Sequence, residues 1–426
     1  YRAPLGHDAY ASLPGNLVYE AVKAADNAGI DFAPYDRDGD CVVDVVNVIH
    51  QGTGREASAS ASDIWSHSWT LDGARANGQS QYPAYVTRTA CSSGGNISVN
   101  AYILEPERLG NQMMTVGVFA HEYGHTLGLP DLYDMDGSSR GAGIWSLMAD
   151  GTWAGTRVVG DSPSHMDAWS KYKLGWLAPR MVASGSSQNV TLYPSSTTAS
   201  AYQFRAGHPS DGASEYFLVE NRQKSGFDAG LPGAGMLVWH IAESSSNNDK
   251  ECYPVGPSCQ YQHYKVALIQ ADNNWDLEKK TNQGDGGDPY PGSANNVRLN
   301  DSSSPSAKLY SGRNSTLSAS GITSVNANIS VTLSYGAPEK VALKYMQGGT
   351  GTGSVTFSPP GNVSSCSANC TNRYNKGQLV TLTATAGANS RFMGWAGTGG
   401  CSGKGVCTLT MSAAKAVSAS FKKVLR

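Results

Sequence analysis

VGVFAHEYGHTLGLPDLYD, residues 116–134, places two histidines four apart with a glutamate between them, then a glycine and an aspartate. Residues i and i+4 of a helix share a face. His121 and His125 therefore project together, with Glu122 beside them. Val116, Phe119, Tyr123 and Leu127 fall on the opposite side, where the pattern predicts burial in a core. Gly128 then breaks the helix, because glycine accepts the positive φ of a helix C-terminus. Asp131, three residues on, can swing back toward the imidazoles. Two imidazoles and a carboxylate make a three-ligand zinc site with the fourth position open to water. Zinc acidifies that water and polarises a peptide carbonyl, and Glu122 is placed as the general base. The full spacing HExxHxxGxxD fixes five positions. A chance match in a chain this long is on the order of one in ten thousand, which separates it from an ordinary pair of core histidines.

With 426 residues the chain is long enough for two or three domains, and 40% hydrophobic content can fill a sizeable core. The formal net charge is −2, with no block of like charge. On that figure no nucleic-acid or anionic-membrane partner is expected. No run of 18 apolar residues exists, so no membrane span is expected. The sequence starts at Tyr1 without a charged-then-apolar leader, as expected of a processed or excised chain. Of eight cysteines, six fall in close pairs: Cys252 with Cys259, Cys366 with Cys370, and Cys401 with Cys407. Cys41 and Cys91 remain for a fourth bridge. Even counts with local pairing suit an oxidising compartment. The competing reading, a structural zinc on the last four cysteines, fits their spacing poorly.

Helical signals concentrate before residue 180: 16–28, 111–127, and 162–172 with Ser162 as N-cap and Pro163 in the first turn. Between the first two, CVVDVVNVIHQG (41–52) reads as a buried strand, so a sheet with helices against it is expected. After Pro179 the texture changes to strand-like runs such as EYFLVENRQ and GMLVWHI, punctuated by Gly, Ser, Asn and Pro. A β-sandwich-like domain to about residue 335 is expected. SYGAPEK (334–340) reads as a linker, and residues 341–426 as a small all-β module stapled by its two close cysteine pairs.

Asp36, Asp38, Asp40 and Asp44 stand at relative positions 1, 3, 5 and 9, with the Val42 carbonyl between. Oxygen ligands at that spacing suit Ca²⁺, because converging carboxylates repel without a cation. Asp272, Asp285 and Asp288, in acidic Gly-rich loops, offer a second calcium site. His50, His67 and His240 read as hydrogen-bonded structural histidines, and Trp145 and Trp153 as core or subsite residues.

The motif His121-Glu122-x-x-His125-x-x-Gly128-x-x-Asp131 resembles the signature of the immune inhibitor A-like bacterial zinc metallopeptidases, relatives of the metzincins. GIWSLMADGTW (143–153) resembles that family's methionine turn, which implies Met148 beneath the metal. HQGTGREAS, IWSHSW, SPSHMDAWSKYKLGWL and YFLVENRQKSGFDAGLPGAGMLVWHI extend the resemblance over roughly residues 14–300. It implies a secreted bacterial endopeptidase, supported by calcium, made with an N-terminal propeptide and acting on protein or peptide substrates as a monomer. GSVTFSPPGNVSSCSANC and the closing CTLTMSAAKAVSASF resemble divergent internalin-type B-repeat units, which are accessory modules. The expected architecture is an α/β metzincin-like catalytic domain (1–179), a β-sandwich-like domain packed on it (180–335), and the small β module (341–426). The rival expectation is an exported adhesin on a decayed metallopeptidase scaffold. Decay would strike Glu122 or a ligand first, and all are present.

Overall fold

A computed structural model describes residues 1–205, 215–336, 340–375, 378–397 and 400–424, so residues 337–339 of the expected linker lie outside it. The chain forms two compact units: Tyr1–Val182 with Ser187–Ser334, and Ala183–Ser186 with Tyr335–Arg426. The second unit holds two four-stranded sheets. One runs Cys370–Asn375, Lys340–Gly349, Lys415–Lys423, Ser390–Ala396; the other runs Ser365–Cys366, Gly353–Ser358, Leu379–Ala386, Cys407–Thr410. Its core gathers Leu343, Tyr345, Val380, Leu382, Val417 and Phe421. Disulfides Cys366–Cys370 and Cys401–Cys407 staple it, while Cys41–Cys91 and Cys252–Cys259 lie in the first unit.

In the first unit one sheet is built around Ala101–Leu109, whose stretch Tyr102–Pro106 is wholly buried. Val46–Thr53 pairs with it in parallel, and His67–Thr70 antiparallel on the other side. The helix Pro14–Asn27 lays Leu17, Val18 and Val22 over Tyr102 and Leu104. Three expectations change here. The β-branched run at 41–52 becomes an edge strand rather than a buried one: Ile49 is 57% exposed, because the sheet continues on one side only. The helix expected at 111–127 begins at Val116, because Gln112–Met113 folds back to pair with the end of the central strand. The helix expected at 162–172 is Ala168–Lys173, capped by Asp167, whose side chain accepts from Ser170 N. Ser162 and Ser164 are tied elsewhere, their hydroxyls donating to Phe227 O and Ile144 O.

A five-stranded sheet follows, ordered Val266–Leu268, Gly235–Ala242, Glu215–Arg222, Ala201–Arg205, Arg180–Met181. Every residue of Gly235–Ala242 is buried. Leu218, Leu237, Trp239 and Ile241 share one core with Trp145, Met148 and Trp169. Tyr1–Val182 and Ser187–Ser334 thus form one compact unit, in which residues 201–277 supply about half of the core they share with residues 129–177. A buried ionic clamp joins the same pieces. Arg222, fully enclosed, donates to both oxygens of Asp228, to Trp145 O (2.9 Å) and to His165 O (3.3 Å). Glu220, also fully enclosed, accepts from Trp239 Nε1 (3.0 Å) and Ala168 N (3.2 Å). Removing the cation would leave the buried Asp228 carboxylate without its counter-charge and Glu220 with Lys171 alone, at 3.7 Å. Arg222→Met is expected to destabilise the chain by about 3–5 kcal/mol, read as a lowered denaturation midpoint; an unchanged midpoint would refute the clamp.

Candidate metal centre

The helix Val116–Thr126 carries His121, Glu122 and His125. It closes with Gly128 at φ +92, whose N–H donates to His125 O (2.9 Å), while Leu129 N–H donates to Gly124 O (3.2 Å). This pair of bonds satisfies carbonyls the helix end would orphan and reverses the chain. Leu129 O then receives His125 Nδ1 at 2.8 Å, and Leu147 O receives His121 Nδ1 at 2.9 Å. A carbonyl only accepts, so each Nδ1 carries the proton and each Nε2 presents a lone pair. Both Nε2 atoms lie 3.2 Å from Asp131 Oδ1, an enclosed oxygen with no well-formed hydrogen bond. Three electron-rich atoms facing one point are the donor set of a divalent cation. Without one, a proton must serve: burial disfavours a charged His125, but the Asp131 carboxylate outweighs it and lifts the imidazole to about 9. Burial likewise opposes the Asp131 charge, yet the two imidazoles hold its carboxyl well below the usual range.

The helix packs differently from its apolar pattern. Val116, Tyr123 and Leu127 are exposed and Phe119 is half-buried, whereas Gly117, Val118, His121, Glu122 and Gly124 are buried. The buried face is the chemical one, and glycines make its closest contacts. A Cβ on Gly124 would stand 2.5 Å from Met148 Sδ, and one on Gly117 would stand 2.0 Å from Thr152 O. Met148 is fully enclosed against this helix, in the turn whose Leu147 carbonyl orients His121.

Beside His121 and Glu122 opens a cavity of about 340 Å³, walled by Val118, Tyr133, Ala149, Trp153 and Trp65 and bearing Arg140 and Asp150. Burial raises the Glu122 carboxyl, and the neighbouring imidazoles oppose that rise. Two residues here escaped the sequence reading. Tyr133 stacks on His121 with ring centroids 6.2 Å apart. Glu105, on the central strand, is fully buried; burial pushes its carboxyl up to about 8, against a hydrogen bond from Asn47 Nδ2 (3.1 Å). The signal for Glu105 was an acid directly following the apolar run 101–104; Tyr133 gave none.

Asp36, Asp38 and Asp40 bring one oxygen each within 4.8 Å of one another, as do Asp272, Asp285 and Asp288. Asp44 lies outside the first group and accepts from Arg37 N (3.4 Å); Val42 N donates to Asp40 Oδ1 (2.8 Å). In the second group Asp288 is fully buried, Oδ1 without a partner and Oδ2 accepting from Trp145 Nε1 (2.8 Å). Burial, reinforced by Asp285 and Asp272, lifts its carboxyl to about 7. Trp145 is core, and Trp153 lines the cavity. His67 bridges Trp65 O and Tyr102 OH, His240 pairs with Glu215, and His50 contacts His7 and Gln51 O.

Residues 18–177 match the family described as immune inhibitor A peptidase M6, catalytic domain, and residues 348–425 match the divergent InlB B-repeat domain. Both resemblances drawn from the sequence therefore hold. Immune inhibitor A of Bacillus thuringiensis subsp. alesti is 36% identical over 191 residues, 40% of this chain and 26% of that protein. Pre-pro-metalloprotease PrtV of Vibrio cholerae is 31% identical over 180 residues, 36% of this chain and 18% of that protein. The match thus spans about a quarter or less of these relatives' lengths.

The glycine contacts generate a paired test. Gly117→Ala drives a methyl into the Thr152 backbone and is expected to cost about 1–3 kcal/mol, with loss of retained metal. Gly128→Ala meets no atom within 4 Å, so only its backbone strain counts, roughly 1–2 kcal/mol. Thermal melting together with metal content separates the two; equal effects would contradict the close packing.

Proposed function

We propose that this chain is a zinc-dependent endopeptidase that hydrolyses peptide bonds in proteins. The carrying observation is the convergence of His121 Nε2, His125 Nε2 and Asp131 Oδ1, with Glu122 alongside in a walled cavity. A zinc ion held by those three would supply Lewis acidity, acidifying a water and polarising the scissile carbonyl. Glu122, 6% exposed, takes the proton of the attacking water and delivers it to the leaving amine. Its enclosed setting supports this role, because burial favours the protonated form it must pass through. Leu147 O and Leu129 O hold the imidazoles in the one tautomer that leaves Nε2 bare. Met148 forms the floor on which the helix rests.

Calcium is proposed at the two acidic groups, Asp36 with Asp38, Asp40, Asp44 and the Val42 carbonyl, and Asp272 with Asp285 and Asp288. The unpartnered Asp288 oxygen supports the second. Four disulfides support a life outside the cytoplasm, and no described helix is long and apolar enough to cross a membrane. A propeptide in the precursor is proposed from the resemblance. The rival reading, an adhesin on a decayed scaffold, is disfavoured because His121, His125 and Asp131 converge and Glu122 is retained beside them in the cavity wall.

Casein digestion with and without a chelator is the direct test, with activity expected to vanish on chelation and return with zinc. Glu122→Ala is expected to keep one zinc per chain while kcat/KM falls by about 10²–10⁴-fold. A native chain that cleaves no protein with both metals supplied would overturn the peptidase reading.

A further inference from the structure

The net charge of −2 conceals a partition. Ten of the 32 Lys and Arg residues, and none of the 34 Asp and Glu, fall in residues 340–426. The first 339 residues are left with 22 against 34, so a formal charge of −12 precedes a module of +10. Two of the ten, Lys376 and Arg426, lie outside the described residues.

Sheet register gathers five of the other eight on one face. In the sheet containing Lys340–Gly349, the side chains of Leu343, Tyr345, Tyr374, Val417 and Phe421 enter the core. Alternation along each strand then sends Lys340, Lys344, Arg373, Arg391 and Lys422 to the opposite face. All five are exposed. Arg373 stands opposite Ala342, diagonal to Lys340 and Lys344. Arg391 stands directly opposite Lys422. Like charges facing across strands destabilise a sheet, and no acid falls in residues 340–426 to offset them.

The two groups occupy opposite ends of the face. Lys344 pairs with Ala416, six residues before Lys422 on the same strand. At roughly 3.3 Å per residue the groups are about 20 Å apart. Between them stand the uncharged Ser418 and Ser420. A single small anion would engage one group only; an extended polyanion engages both. Tyr345, Tyr374, Phe421 and Trp395 belong to the core, so the face has no ring to stack bases or to seat in a lipid interface.

We propose that this face binds a linear anionic polysaccharide, lying along the strands from Arg373 and Lys344 to Arg391 and Lys422. The contact is electrostatic and tethers the chain to a surface bearing such a polymer. It does not depend on the peptidase reading.

The test uses the full chain on immobilised heparin at about 0.15 M salt. Expected are binding that weakens steeply with added salt and at least a tenfold loss when Lys344→Gln, Arg373→Gln, Arg391→Gln and Lys422→Gln are combined. The melting temperature should hold or rise, since only exposed like charges are removed. Lys404→Gln, outside that sheet, should leave binding unchanged. Absence of heparin binding, survival of binding in the fourfold variant, or an equal loss from Lys404→Gln would overturn the proposal. So would tighter binding to phosphatidylglycerol vesicles or duplex DNA at the same salt.

Discussion

Two backbone carbonyls decide what the metal centre can be. Leu129 O and Leu147 O each hold the Nδ1 proton of a histidine, and that alone leaves both Nε2 atoms bare toward Asp131. One carbonyl belongs to the reversal that Gly128 permits, the other to the turn that contains Met148. The same two peptide units therefore set tautomer, ring orientation and the approach of the third ligand. If either moved, an imidazole would turn and the three acceptor atoms would no longer face one another. Much of the surrounding structure serves to keep them still.

The turn at 145–148 is held from three directions. Gly124 lets the helix settle on the Met148 side chain. Arg222 grips Trp145 O from the five-stranded sheet. The indole of Trp145 donates to Asp288 in the acidic loop. A cation in that loop would add its charge to the anchorage of the turn, far from the reacting atoms in sequence but one side chain away from the residue that orients His121.

The convergence of His121, His125 and Asp131 was legible because its information is local: helical spacing, one glycine and one aspartate within eleven residues. The buried side of its helix was not. Apolar periodicity assumes that side chains make the contact, whereas here glycines do, and Val116, Tyr123 and Leu127 face outward. The central strand 101–109 was missed because Glu105 and Pro106 interrupt its apolar run. Ser162-Pro163 carried a sound helix-start signal, but long-range bonds to Phe227 and Ile144 took the serines and left Asp167 to cap. The charge partition was present in the sequence and lost by summing it. That the β-rich segment packs on the residues before it was expected, but which side chains meet at the join was not readable, since composition names core residues without naming their partners.

That join has a consequence for inheritance. The match to the catalytic-domain description ends at residue 177, yet Trp145 and Trp169 are covered by side chains from strands that begin after residue 200. A gene fragment encoding only the recognisable stretch would yield a chain with its largest aromatic rings uncovered and Ala168 N, Lys171 and the 145 carbonyl bereft of their strand-borne counterparts. Recombination that keeps this core intact must therefore carry some three hundred residues together, nearly twice the length of the matched stretch.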